Sequence, residues 1–200
     1  MPDKIRCPWA NADPLSREYH DLKWGVPCHD DRELFKMLIL EGKQAGLAWI
    51  TILRKMAGIL RAFDDLDPAI VAGYDELKVA ELLQNPEIIR NRLKIGAAIG
   101  NARAYLNLRE KGTTLDEFLW KYVDGAPVVN HWRSMGEIPA STPLSDAISR
   151  DLKALGFKFV GSTIVYSWIQ AVGAVDDHLE SCQFKRKFLS AKTTKKAKKP

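Results

Sequence analysis

Alternation of apolar and polar residues at period two is almost absent from this chain, while helix-start punctuation recurs along it. An Asx or Thr residue followed by Pro supplies a capping oxygen and a first helical residue with no N–H to leave unpaired. That pair stands at Asp67-Pro68, Asn85-Pro86 and Thr142-Pro143, and Asp30 with Glu33 reads as a capping box. Ile88, Ile95, Ile99, Ala102 and Leu106 share one helical face, and Leu115, Phe118, Leu119 and Tyr122 repeat the spacing in a shorter element. With nothing to build a sheet from, the chain is predicted to be all-α, with about seven or eight helices and a loop over 124–140.

Two hundred residues, 46% apolar and 28% charged, suit one domain with a sizeable core. The formal charge of +5 is uneven: eight of the 30 basic residues lie from Lys185 onward with no acid, leaving 22 against 25 acidic residues elsewhere. The domain is therefore placed at 1–184 and the lysine-rich 185–200 is read as a disordered tail, attractive to any polyanion. No run of about 18 apolar residues marks a membrane span, and the first ten residues lack an apolar signal core. A cytoplasmic protein without membrane partners is expected. Three cysteines make a poor disulfide framework, so metal or core roles fit them better in a reducing compartment.

The stretch LILEGKQAGLAW sets a carboxylate, Glu41, at the end of an apolar run. Leu34, Met37, Leu38 and Glu41 follow i, i+3, i+4, i+7, which turns Glu41 toward the core. Gly42 reads as the residue just past the helix end, so Glu41 also meets the negative pole of the helix dipole. Burial and dipole both disfavour an anion, and something outside the helix must compensate. Trp9, Tyr19, Trp24 and Trp49 flank it in sequence. They fit either core aromatics or the walls of a slot for a planar heterocycle, whose exocyclic amine Glu41 would accept. Arg90, Arg92 or Lys94 are candidates for a purely structural pair.

Near the C-terminus, Ile148, Leu152 and Leu155 lead to GFKFVG, after which Val160, Thr163, Ile164, Ser167 and Trp168 open a second face. Two helices over about 144–172 with Gly156 and Gly161 at the ends of a tight loop suit a helix-hairpin-helix that holds a DNA phosphate by backbone amides, with Lys158 adding charge. A plain helical hairpin gives the same spacing. Cys7 and His20, with twelve residues between them, and His178-x3-Cys182 offer a Cys2His2 set. Four protein ligands close a tetrahedral zinc, one structural ion joining the N-terminal segment to a last helix, and leave no open position for a metal-bound nucleophile.

Together YHDLKWGVP, LEGKQAGLAWITILRK, IIRNRLKIGAAIGNARAYL, EIPASTPLSDAISRDLKALGFKFVG and VDDHLESC resemble the DNA-3-methyladenine glycosylase I family, from about Cys7 to Cys182. The resemblance implies a helix-hairpin-helix glycosylase fold, zinc on Cys7, His20, His178 and Cys182, and monofunctional excision of 3-methyladenine from alkylated double-stranded DNA by a monomer. It makes Glu41 the base-recognising glutamate, Tyr19 and Trp49 pocket aromatics sandwiching the base, with Trp9 and Trp24 close by, and Leu47 a wedge in the gap left by the flipped nucleotide. Ser16 departs from the aromatic found in some relatives, which implies a more open wall. A non-catalytic DNA-gripping module is one rival reading, and it leaves Glu41 unexplained; a metal-dependent hydrolase is the other, and the four ligands argue against it.

Overall fold

In the computed structural model, which describes residues 4–186, seven of the nine α-helices start where a side-chain oxygen satisfies their first amides, and the two that follow Ala48 and Gly161 have no side-chain cap. Asp13 caps α1 (Pro14–Leu22) and Asp30 caps α2 (Asp31–Gln44) by accepting from Arg32 N and Glu33 N. After α3 (Trp49–Ala62), Asp67 caps the short α4 (Pro68–Val71), and Asp75 caps α5 (Glu76–Gln84). Asn91 caps α6 (Arg92–Glu110), and Thr114 with Glu117 forms a full capping box on α7 (Leu115–Trp120). Thr142 and Ser145 do the same for α8 (Pro143–Ala154), which a tight loop joins to α9 (Ser162–Ala171).

Nine α-helices and four short 3-10 helices are present among the described residues, which are all-α apart from two paired dipeptides. β1 (Val128–Val129) and β2 (Val175–Asp176) run parallel, Val128 opposite Val175, and pin the 124–140 segment to the chain after α9. No helix in the described residues is long and apolar enough to cross a membrane.

The core centres on α2 and α9. Leu34, Leu38 and Phe35 of α2 are fully buried, as is Trp168 of α9, whose indole N–H donates to the Leu34 carbonyl at 3.0 Å. α6 supplies Ile95, Ile99 and Ala102 on the expected face, and its Lys94 reaches the end of α2. There the ammonium donates to the carbonyls of Lys43 and Ala45 at 2.8 and 2.6 Å, which closes the helix at its negative pole.

Several local expectations are corrected. α2 continues through Gly42 to Gln44, because a buried glycine facing Phe159 serves packing as well as termination. Asn85-Pro86 caps only a turn: Asn85 ends α5, and the next helix waits for Asn91. Glu33 binds Lys36 instead of returning to Asp30, so that cap is one-sided. The buried face of α9 is Val165, Trp168 and Ile169, not the stripe containing Thr163 and Ser167. His178 and Cys182 follow β2 in a turn-rich loop, not on a final helix. Lys185 and Arg186 hydrogen bond back to the body through Asn130 O, His178 O and Asp176 Oδ2. The rest of the basic tail, 187–200, lies outside the described residues.

Candidate active site

Glu41 projects from the last turn of α2 into a cavity of about 400 Å³. The residue is only 3% exposed, its Oε2 has no hydrogen-bond partner, and burial pushes its pKa up to about 8. None of the three candidate cations pairs with it: Lys94 closes α2, Arg92 binds Glu76, and Arg90 is exposed. A buried acid without an internal partner is costly in a plain core and suits a site that an outside group completes.

The aromatics expected around it are there. Trp9, Tyr19, Trp24 and Trp49 all line the cavity. Tyr19 from α1 and Trp49 from the start of α3 have ring centroids 5.2 Å apart at 49°. At that spacing the two rings touch and leave no room for a base between them, so they form one wall and not the expected sandwich. Both also carry unpartnered buried polar atoms, Tyr19 Oη and Trp49 Nε1. Burial, and then the neighbouring Glu41 charge, hold the Tyr19 phenol well above its ordinary range. Ser16 is buried in α1 and takes no part in the lining, so it opens no wall.

Sequence reasoning missed the opposite side. Thr163, Tyr166, Ser167 and Gln170 line the cavity from α9, and Met135, Ile138, Pro139 and Ala140 form a rim from the 124–140 segment. The first group follows i, i+3, i+4, i+7, a polar stripe on an otherwise apolar helix, and that periodicity was a usable signal. Gln44, one turn after Glu41, also lines the cavity. A second, larger cavity of about 520 Å³ lies behind Tyr19, but Glu41 and Trp49 border only the first.

The residues expected to meet DNA are held in different ways. Leu47, in the turn between α2 and α3, is 38% exposed and follows Gly46, whose φ of +75° makes the turn. Gly156 ends α8 at φ +94°, a left-handed conformation that favours glycine. Gly161 has an ordinary φ of −61° as N-cap of α9, so the turn does not need it. Between them Asn101 clasps the loop: its Nδ2 donates to Lys158 O at 2.9 Å, and its Oδ1 accepts from Lys158 N at 2.7 Å. The Lys158 side chain is left exposed.

The same α1 helix turns its next residue, His20, toward a second cluster. Ligand atoms of Cys7, His20 and Cys182 lie within 4.8 Å of one another, all buried. His178 falls outside that set, but its ring is 5.0 Å from that of His20 and its buried Nε2 has no partner. Each imidazole directs Nδ1 at a carboxylate, His20 to Asp21 at 2.9 Å and His178 to Asp176 at 2.8 Å. That turns both Nε2 atoms into the cluster, His20 Nε2 toward Cys182 Sγ at 3.6 Å and His178 Nε2 with no partner, as in carboxylate–histidine–metal arrangements. The Cys182 thiol is held well below its ordinary range by hydrogen bonds from Cys7 and His20. Gly25, at φ +72°, makes room for His178: a Cβ there would stand 2.7 Å from Cε1. Two thiols and two imidazoles fit a tetrahedral zinc donor set.

A family model described as methyladenine glycosylase matches residues 9–186. The chain is 49% identical over 177 residues to DNA-3-methyladenine glycosylase 1 of Escherichia coli (strain K12), spanning 88% of this chain and 95% of that one. It is 40% identical over 180 residues to DNA-3-methyladenine glycosylase of Haemophilus influenzae (strain ATCC 51907 / DSM 11121 / KW20 / Rd), at 90% and 97% coverage. Among solved structures, 3-methyladenine DNA glycosylase I from Staphylococcus aureus, described for the structural basis of 3-methyladenine recognition, superposes with a TM-score of 0.88 at 35% identity. That match covers 92% of this chain and 98% of the other.

Proposed function

The chain belongs to the methyladenine glycosylase family, and we propose that it hydrolyses the N-glycosidic bond of 3-methyladenine in alkylated double-stranded DNA. The observation that carries this reading is Glu41, a buried acid with no internal partner at the edge of an aromatic cavity. Methylation at N3 makes the nucleotide base cationic, which favours a carboxylate beside it and makes the base a good leaving group without strong protonation. Glu41 accepts a hydrogen bond from the exocyclic amine and opposes the ring charge, while the Tyr19–Trp49 wall takes one face of the base. Water adds at the sugar C1′ as the C1′–N9 bond breaks. The products are neutral 3-methyladenine, the abasic sugar, and a proton released to solvent.

The lesion reaches the cavity by rotating out of the duplex, at a cost of a few kcal/mol that a damaged base reduces. Leu47 fills the gap it leaves, and the α8–α9 hairpin, as a helix-hairpin-helix, holds the backbone through Gly156, Lys158 and Gly161. No lysine is among the described residues lining the cavity, in keeping with a monofunctional enzyme that uses water and not an amine nucleophile. Cys7, His20, His178 and Cys182 hold one structural zinc, which supplies a rigid crosslink and leaves the reaction to the cavity. The enzyme works as a monomer.

Incubation with methylated duplex DNA, followed by separation of free bases, tests the proposal. Release of 3-methyladenine with little 7-methylguanine is expected. Duplex binding with no base released would favour the non-catalytic module.

A further inference from the structure

Asp177, 1% exposed, accepts four hydrogen bonds, two from the α9 wall of the cavity and two from the segment that carries its rim. Tyr166 Oη and Gln170 Nε2, the latter at 2.6 Å, reach it from α9. Asn130 Nδ2 and Trp132 Nε1, both at 2.7 Å, reach it from the segment that carries the rim. A carboxylate only accepts, so its partners must present hydrogens. Gln170 therefore faces Asp177 with its NH2, and Oε1 is the amide atom left over, with no described group donating to it. The single hydroxyl proton of Tyr166 is committed in the same direction. Both residues line the cavity, and α9 packs against α2, which carries Glu41. The unpartnered donors, Tyr19 Oη and Trp49 Nε1, lie on α1 and α3.

We infer that Asp177 is a positioning residue that sets the hydrogen-bonding sign of the α9 wall, fixing Gln170 and Tyr166 as acceptors so that the site takes a base with an exocyclic amine and rejects one with a carbonyl there. This rests on the proposed base-excision activity and assigns its specificity. An amine at that edge can donate to Glu41 and to Gln170 Oε1. With Glu41 ionised, a carbonyl oxygen placed there faces lone pairs only, and its lost hydration is not replaced.

The test uses free 3-methyladenine and 3-methylhypoxanthine, which exchange an amine for a carbonyl at one position, titrated against the full chain by tryptophan fluorescence. At about tenfold per mismatched acceptor, Glu41 and Gln170 together give a preference for the amine on the order of 100-fold in the wild type. Gln170→Met keeps shape and leaves Asp177 three donors, and it should lower that preference by about tenfold with the thermal midpoint unchanged. Asp177→Asn, which forces a partner to turn, should lower it likewise wherever the variant folds; Gln170→Met decides the matter if it does not. Parallel weakening of both ligands with the ratio intact would mark a merely structural role and overturn the inference. A wild type that releases 3-methyladenine from DNA yet shows no such preference would also overturn it, while leaving the proposed function standing.

Discussion

Glu41 pays for its position in a form that pH can measure. Burial raises its pKa from 4.5 to about 8 in the folded protein. Below 4.5 the side chain is neutral in both folded and unfolded chains, and the burial penalty is absent. As pH rises from 4.5 to 8 the unfolded chain ionises first, so stability falls across that window and levels off above it. At ~1.4 kcal/mol per pKa unit the full loss is on the order of 5 kcal/mol. Glu41→Gln removes it, so the variant should be as stable as wild type near pH 4.5 and more stable by a few kcal/mol at pH 8.5, measured by urea denaturation. Activity runs the opposite way: kcat/KM of the wild type should rise with pH toward about 8 as the carboxylate ionises. The apolar spacing and the aromatic company of Glu41 were legible in the sequence. That Lys94 and Arg92 would be occupied elsewhere was not, because it depends on which helix ends meet in space.

At the scale of elements, caps were the most readable feature and boundaries the least. Thr142-Pro143 and Asp67-Pro68 start helices as their chemistry dictates, whereas Asn85-Pro86 offers the same chemistry and starts only a turn. The hairpin shows a similar split between local and spatial information. Both glycines look alike in sequence, yet only Gly156 adopts a left-handed backbone, while a Cβ at Gly161 would meet nothing within 4 Å. Gly161→Ala should therefore cost under about 1 kcal/mol of stability. If the backbone at Gly161 approaches a phosphate, the same change should weaken duplex binding severalfold. Lys158→Ala should weaken binding across sequences and lower the salt slope by about one, read from titrations at several ionic strengths. Unchanged affinity and slope in both variants would remove the hairpin from the interface. The polar stripe of α9 was equally present in the sequence, but its meaning emerges only once the 135–140 rim lies across from it.

Across the whole molecule, the first and last of the described residues meet. Gln183 N donates to Ile5 O at 2.9 Å, Leu179 N reaches Cys7 Sγ, and Arg6 pairs with Asp21 at 2.8 Å. The four Cys and His residues could be paired from their spacing, though the helix expected to carry His178 and Cys182 is a loop. An aromatic chain connects that cluster to the Glu41 cavity: Trp24 lies 4.5 Å from His178 and 5.2 Å from Trp9 between ring centroids. With zinc in place, elemental analysis should find one ion per chain. Its removal by a chelator should lower the thermal midpoint and weaken binding of free 3-methyladenine together, since α1 carries both His20 and Tyr19. A metal content near zero in protein kept from chelators would contradict the zinc crosslink.

Single-turnover release of 3-methyladenine from methylated duplex DNA by wild type and Glu41→Gln, with folding of both verified by circular dichroism, bears most directly on the role of the buried acid. Replacing a charge-assisted contact by a neutral one is expected to slow release by a factor on the order of 100. A Glu41→Gln protein that releases the base as fast as wild type would contradict the account.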